Sequence, residues 1–555
     1  MEIKVTLCFG CDFSIVVDFA INQPEIGVFN LFRLDSFNVH SDFVRFPSPG
    51  AEACRIMAFR GRVGNTATVF FDHKEGAFPM AGNIDEENDF DKVAITLKVS
   101  EVLGEALAEL AAMSDDLLAS DHPGADFARF ELAAVDIVRE FGRKLVSKAA
   151  EKRDDGAGSI EREGRSWYRA KPSRGTLTCL FGKVEYPRSV YRNSQVRNSV
   201  CPTDEGLGLL AGRMTIPVGR MVTRLLAEMP VRTAKDIFDG FVGESPAVST
   251  WQKLSRMVDW SWRNVSVKAL ADIRGDEDIP EGARSVVLSL DGVYVLLRPG
   301  EHPIGMTGDD GHKGNWREAS CGTVTFLDGK GEPLHTISSG WMPEHLKGTL
   351  KKWLSDEFNV IMAKRPDLTS VGAADGARDN WTFLSGQEVD EEIVDFYHAT
   401  TYLAKASEHA VSKDGWYGKW RIILLEEDNG VDRVLGAIRG LCNRAGDEGS
   451  REELHTVWNY FNERRGRMQY ADLKRRGLPI GSGHVEAVNK THVGERMKRS
   501  GMRWSMAGGQ AILGIRSLVK SGRFDKSWEY IVEELKRRKP SNDNWNPWHE
   551  KRKAA

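Results

Sequence analysis

No stretch of this 555-residue chain approaches the roughly 18 unbroken apolar residues that a membrane-spanning helix needs. Its opening, MEIKVTLCFGCDFSIVVDF, has one early lysine and no cleavage-site pattern, so no secretory signal is expected and a cytoplasmic location is. Cysteine is scarce: seven residues, at 8, 11, 54, 179, 201, 321 and 442, an odd number without framework spacing, which points to reduced thiols. Cys8 and Cys11 form a lone Cys-x-x-Cys with no second pair to complete a zinc site, and two half-buried strand thiols explain it more simply. A large charge of one sign is also lacking. The formal net charge of −4 excludes a uniformly basic nucleic-acid coat. No internal repeat marks a solenoid.

The length is too great for one ordinary core and suggests about three or four domains, and a composition 41% hydrophobic and 28% charged is that of a folded globular chain. Charge is unevenly spread. Residues 1–100 carry 9 Lys/Arg against 14 Asp/Glu, whereas residues 464–503 carry 11 against 3, a local basic patch suited to nucleic acid. Residues 1–100 read as a β-rich N-terminal domain of unassigned role, from short runs such as VTLCF, FSIVVDF and KVAITLKV between turn residues. Residues 101–164 read as a helical segment followed by a polar, glycine-bearing linker, DDGAGSIEREG.

Within 165–275 the alternation of Leu177, Cys179 and Phe181 up to Gly182, and of Val184 and Tyr186 beyond it, predicts a β-hairpin. RTAKDIFDGFVGESPAVSTWQKLSRMVDW then predicts two helices around a short turn, as in a helix-turn-helix or an ordinary helical hairpin. From Arg284 a glycine-punctuated meander, a helix and a further strand ending at Asp375 predict an α/β domain with a mixed sheet covered by helices. Helices dominate from about 400 to 476, and residues 526–555 read as a C-terminal helix and polar tail.

Residues 478–504, LPIGSGHVEAVNKTHVGERMKRSGMRW, combine a Gly-Ser-Gly turn, Glu486 at a helix start, and Arg496, Arg499 and Arg503 at helical spacing. Ser482 or Gly483 is a good N-cap, Glu486 is favoured there by the helix dipole, and it can pair with Lys490. A second reading of the same face is a carboxylate that helps hold a metal beside arginines that hold a polyanion. Asp291 and Asp375 stand at strand ends, but Asp-Gly is also a common turn signal and recurs seven times here, so spacing does not single them out.

In order and setting, Asp291, Asp375 and Glu486 resemble the Asp-Asp-Glu triad of bacterial insertion-sequence transposases with an RNase H-like catalytic domain. The strings LDGVYV, AADGA, DFYHATTYL, LPIGSGHVEA and MKRSGMRWS are similar to those of the Kra-type group, over roughly residues 170–525. Asp395 and His398, in DFYH, resemble the Cys-or-Asp, two residues, His motif of Mutator-related transposases, although His398 also suits a structural role. The triad residues are 84 and 111 residues apart, and the second gap accommodates the helical insertion that this group carries.

The resemblance implies an RNase H-like DDE domain over 284–525, preceded by a helical DNA-binding region, and a DNA transposase that cleaves at its element's ends and joins the 3′-hydroxyl to target DNA. Carboxylates within about 4 Å repel by roughly 4 kcal/mol per pair at an effective dielectric near 20. The resemblance accordingly implies Mg²⁺, with Mn²⁺ as substitute and two ions in all, on Asp291, Asp375 and Glu486. Lys490, Arg496, Lys498, Arg499 and Arg503 become a clamp on the DNA backbone. The expected partners are double-stranded DNA, at transposon ends and target, and further copies of the chain in a homodimer or larger assembly, nucleoid-associated when DNA-bound, with no membrane. Trp316, Trp341, Trp381 and Trp504 are candidates to stack on an unpaired base or to fill cores. Rival functions are an RNase H-like structure-specific endonuclease and a DNA-binding regulator without catalysis.

Overall fold

The computed structural model describes residues 2–8 and 14–20, isolated positions between 104 and 115, and residues 123–537 apart from 155, 163, 171–172 and 304–313. The chain divides into two units, Met1–Thr96 and Leu97–Ala555. Of the first, the described part is an antiparallel hairpin, β1 (Glu2–Cys8) with β2 (Ser14–Ala20), its register running from Glu2 opposite Ala20 to Cys8 opposite Ser14. The other strands expected before residue 100, Cys11, and the C-terminal tail beyond 537 lie outside the described residues.

The second unit opens with the long helix α1 (Pro123–Glu151). The segment expected to be a linker instead contributes a strand. In it, β3 (Ser159–Arg162) pairs with β4 (Arg165–Arg169), setting Ile160 opposite Trp167. The sheet continues through β7 (Tyr191–Asn193) and β8 (Val196–Val200). The polar composition of 154–164 concealed it because the strand is short and mostly faces solvent, so alternation has little room to show. The hairpin at Gly182 forms as the alternation requires, β5 (Ser173–Cys179) against β6 (Gly182–Arg188), with Gly182 at φ 103° in the tight turn.

Helices α2 (Ile216–Glu228), α3 (Val231–Phe241) and α4 (Val248–Asp276) follow. Asp239 accepts from the Ser245 N–H at 3.0 Å and its hydroxyl at 2.6 Å, fixing the turn between α3 and α4, and Phe238 packs edge-on to Trp251 at 5.6 Å. The second helix of this pair buries Trp251, Leu254, Ser255, Met257 and Val258 within its first three turns. That much burial suits a helical hairpin inside a core better than a helix presented to a groove. The same core takes in Phe524, Trp528, Ile531 and Leu535 of the last helix.

The central sheet has the order β11-β10-β9-β12-β13. The strands β9 (Ser285–Leu296), β10 (Trp316–Leu327) and β11 (Pro333–Trp341) form an antiparallel meander. After α5 (Gly348–Lys364), β12 (Thr369–Ala374) returns parallel to β9, and β13 (Glu391–Val394) is parallel to β12 beyond α6 (Arg378–Ser385). This is the expected mixed sheet. Val286, Val287, Leu288 and Leu290 of β9 are buried in succession, as a strand covered on both faces requires. The 400–476 region is helical as expected: α7 (Phe396–Ser407), α8 (Lys413–Glu426), α9 (Gly430–Arg444), α10 (Glu448–Glu463) and α11 (Tyr470–Arg475), all sharing the sheet's core.

The chain ends its described part with α12 (Gly483–Val488), α13 (Met506–Lys520) and α14 (Phe524–Arg537). Arg523 ties the sheet domain to the helical core. Its guanidinium donates to both oxygens of Glu357 on α5 at 2.7 and 3.0 Å, and to Glu277 at the end of α4 at 2.6 to 3.1 Å. Glu357 is also paired with Arg274 at 2.8 Å. Removing one partner from such a buried network strands charge away from water. Arg523→Met is expected to lower unfolding free energy by about 3 to 5 kcal/mol, with Arg523→Lys falling between it and the wild type, as read from urea unfolding midpoints.

Candidate functional site

Asp291 lies in β9 opposite Cys321, and Asp375 directly follows β12, the parallel neighbour of β9. Adjacent parallel strands thus deliver the two carboxylates to the same end of the sheet. Asp291 Oδ1 accepts from the Gly292 N–H at 2.7 Å, and Oδ2 accepts from the Asn489 side-chain amide at 2.6 Å. Burial pushes the Asp291 carboxyl above its ordinary value, and the charge of Asp375 pushes the same way, against the Gly292 N–H, the Asn489 amide and Lys347. The buried Cys321 thiol is raised chiefly by desolvation and further by the Asp291 charge.

Asp375 is held by the first turn of α6. Its Oδ1 accepts from the Ala377 N–H at 3.0 Å and from Asn380 Nδ2 at 3.3 Å, while its carbonyl accepts from the Trp381 indole at 2.7 Å. Asn380 is buried and reaches further: the same Nδ2 lies 3.4 Å from the Leu290 carbonyl, and its Oδ1 accepts from Lys347 Nζ at 3.2 Å. Lys347 is also paired with Glu318 at 3.0 Å. Glu318 in turn lies against Gly292, where an added Cβ would fall 1.8 Å from its carboxylate. Leu346 and Lys347 both adopt the left-handed region, at φ 52° and 54°, a costly conformation for side chains other than glycine. Asn380, Asn489, Lys347 and Glu318 carry no motif in the sequence. They are recruited from four separate segments.

Glu486 is on α12, which packs against β9 and β10, but its side chain is half exposed and pairs with Lys490 at 3.7 Å. Asn489, one turn later, is the residue that touches Asp291. There the helix passes into a π-helical turn, Asn489–Gly494, a distortion that recurs at functional sites. His492 within it is buried between the Ser338 hydroxyl at 3.3 Å and the Ser517 hydroxyl at 3.2 Å, and burial holds its imidazole down at about 3, hence neutral. Among the described residues no group of three or more His, Cys, Asp or Glu side chains is gathered closely enough to hold a metal ion.

Asp395 is buried and fully occupied. It caps α7 by accepting from the His398 N–H at 2.6 Å, and its other oxygen accepts from the Ser482 N–H at 2.6 Å and hydroxyl at 3.0 Å. Gly481 passes so close that an added Cβ would sit 2.5 Å from that oxygen. His398 lies beside the rings of Tyr402 and Tyr460, which stack on each other at 3.7 Å. Arg464 covers Tyr460 and donates to the Gly376 carbonyl next to Asp375 at 2.8 Å.

The basic row is rearranged. Helix continues only to Met497, so Arg499 and Arg503 belong to the following loop rather than to one helical stripe. Lys490, Lys498, Arg499 and Arg503 are exposed. Arg496 is not. It is 3% exposed, donates to the Leu226 carbonyl at 3.0 Å and lies 5.2 Å from the Trp504 ring centroid. A cation at the C-terminal carbonyls of α2 is a helix cap, and Arg516 takes the next carbonyl, that of Ala227, at 2.7 Å. Arg496 therefore leaves the set of DNA-contact candidates. Trp381 is buried and Trp504 is bound through its indole to the Met497 carbonyl at 3.0 Å, which gives both structural roles, whereas Trp316 is exposed.

No described helix is long and apolar enough to cross a membrane. No protein-family model matches the chain, and no curated protein matches it. Among solved structures, the Drosophila P element transposase strand transfer complex is similar at 9% identity over 57% of this chain and 80% of that one, with a TM-score of 0.20. At that score the likeness carries no argument.

The penalty that burial, and to a lesser degree the charge of Asp375, places on the Asp291 carboxylate has a measurable sign. A carboxyl whose folded pKa is raised destabilises the fold above that pKa, and the penalty is relieved as pH falls through it toward the ordinary 3.8. Asp291→Asn is therefore expected to raise the thermal midpoint in metal-free buffer at pH 7.5, with the gain shrinking as pH approaches 4, by paired calorimetric scans of variant and wild type.

Proposed function

We propose that the chain is a DDE-type DNA transposase whose RNase H-like domain spans residues 284–525. The observation that carries this is the convergence of Asp291 and Asp375 from adjacent parallel strands, each oriented by a buried asparagine amide. The strand order, with a three-stranded antiparallel meander followed by two parallel strands and then a helical insertion, supports the same reading. Two carboxylates brought together on neighbouring strands are unfavourable for folding alone, and sites that keep such strain generally use it.

The donor set suits a hard divalent cation, since Mg²⁺ is commonly held by one or two carboxylates, with waters and substrate phosphate completing its shell. Asp291 and Asp375 would hold it, and Glu486 would join from α12 on leaving Lys490. Bound there, the ion would polarise a phosphodiester and lower the pKa of an attacking hydroxyl. The protein's own part is to fix the two carboxylates through Asn489 and Asn380 and to carry the backbone of double-stranded DNA on Lys490, Lys498, Arg499 and Arg503. Water is the nucleophile for cleavage at the element end, and the freed 3′-hydroxyl for joining to target DNA. Two ends joined together need two active sites, hence a dimer or larger assembly.

The test is a joining assay with labelled element-end DNA, a target plasmid and Mg²⁺. Wild type is expected to give joined products, and Asp291→Asn, Asp375→Asn and Glu486→Gln to lose them by at least about a hundredfold. Cleavage without joining would instead identify a structure-specific nuclease, and binding without cleavage a regulator. Undiminished joining by Asp291→Asn or Asp375→Asn would remove the site assignment. In a separate salt titration, replacing Lys490, Lys498, Arg499 and Arg503 together with alanine is expected to flatten the log K against log salt slope by up to about 3.6, at roughly 0.9 per phosphate contact. Arg496→Ala should destabilise the fold instead.

A further inference from the structure

Asn489 is 6% exposed, and its side-chain amide is used at one end only. Nδ2 donates to Asp291 Oδ2 at 2.6 Å, while Oδ1 is buried with no hydrogen-bond partner. A buried carbonyl oxygen without a donor costs about 1 to 3 kcal/mol. Here it belongs to an amide already in contact with one of two facing carboxylates. An amide presents a donor and an acceptor that a half-turn about its terminal torsion exchanges. Beside an anion alone, only the N–H end is favourable. With a cation on the same carboxylate, the oxygen end is favoured, because amide carbonyls are hard oxygen ligands of the kind divalent ions take.

We propose that Asn489 is itself a ligand of the divalent cation that Asp291 and Asp375 hold, its Oδ1 turning to the ion as a neutral protein oxygen beside the carboxylates. The inference rests on the transposase reading to the extent that it places a cation on the acidic pair. It assigns a role to a residue that the sequence motif passes over. Glu486 and Lys490 point outward from this helix, whereas Val485, Asn489 and His492 point inward, and the π-helical turn begins at Asn489 itself. The residue with direct access to Asp291 is therefore the amide, and Glu486 is the more peripheral oxygen donor.

The experiment is a titration of the full chain with Mn²⁺ alone, followed by the electron paramagnetic resonance signal of the free ion, with circular dichroism to verify folding. Asp291→Asn is expected to abolish binding. Asn489→Ala is expected to weaken it by about tenfold or more. Asn489→Asp, which replaces the neutral oxygen with a charged one, is expected to bind at least as tightly as wild type. Wild-type affinity in Asn489→Ala would overturn the inference while leaving the acidic pair in place. Weaker binding by Asn489→Asp than by wild type would also overturn it, since an oxygen that already sits at a ligand position holds a divalent ion at least as tightly once it is charged. This arm decides the matter if Asn489→Ala does not fold. Undiminished binding by Asp291→Asn would remove the cation from the acidic pair, and with it both the inference and the reading beneath it.

Discussion

The geometry of the candidate site depends on one buried carboxylate that takes no part in the acidic pair. Asp395 follows β13 and accepts hydrogen bonds from the backbone of α7 on one side and from Ser482, 87 residues later, on the other. The Phe396 N–H donates to the Ile480 carbonyl at 2.9 Å, so the contact is a short two-way seam. Charged hydrogen bonds of this kind are worth more than neutral ones, and inside a protein they tolerate little displacement. The helical insertion is spliced between the two halves of the seam. Without it, α12 would have no fixed start, and Asn489 no fixed position against Asp291.

The two asparagines extend the same principle into the site. Asn380 joins Asp375, the β9 backbone and Lys347, and Asn489 joins Asp291 to the helix that Asp395 anchors. Neutral amides orient carboxylates without neutralising them, whereas arginines in the same places would quench the charge. The cations present are kept at one remove. Lys347 is committed to Glu318 and Asn380, and Lys490 to Glu486. The result is an acidic pair whose orientation is fixed without a cationic side chain bonded to either carboxylate, as the proposed cation site requires.

Much of the fold was legible because local pattern and burial agree in it. The alternation around Gly182 gave the hairpin, the glycine-punctuated run from Arg284 gave the meander, and the helical texture of 400–476 gave the helices found there. The acidic pair was legible only through resemblance, since the turn chemistry of Asp-Gly reads alike in different settings. Asp328 does sit in a hairpin turn, accepting from the Lys330 and Glu332 N–H groups, but Asp291 is inside a strand and Gly292 is there to admit Glu318. Arg496 was misplaced because an unbroken helix was assumed across a π-helical turn, and a residue committed to distant carbonyls looks like any surface arginine. The asparagines carried no signal either: Asn489 meets Asp291 across 198 residues, and Asn380, though only five residues from Asp375, reaches the Leu290 carbonyl across 90.

The left-handed pair Leu346 and Lys347 shows what such a site demands of its surroundings. Two consecutive residues in that region cost on the order of 1 to 3 kcal/mol each, with no glycine to relieve them. The conformation puts Lys347 within reach of both Glu318 and Asn380, ahead of the first turn of α5. Glu344 then caps that helix from outside, accepting from the Thr349 and Leu350 N–H groups at 3.0 and 3.1 Å. A relaxed turn would carry the ammonium away and leave Glu318 unpaired against Gly292, beside an Asp291 already raised by burial and by Asp375. Backbone strain at 346–347 thus holds down electrostatic strain at 291, and the surplus negative charge remains at the point where Asp291 and Asp375 converge.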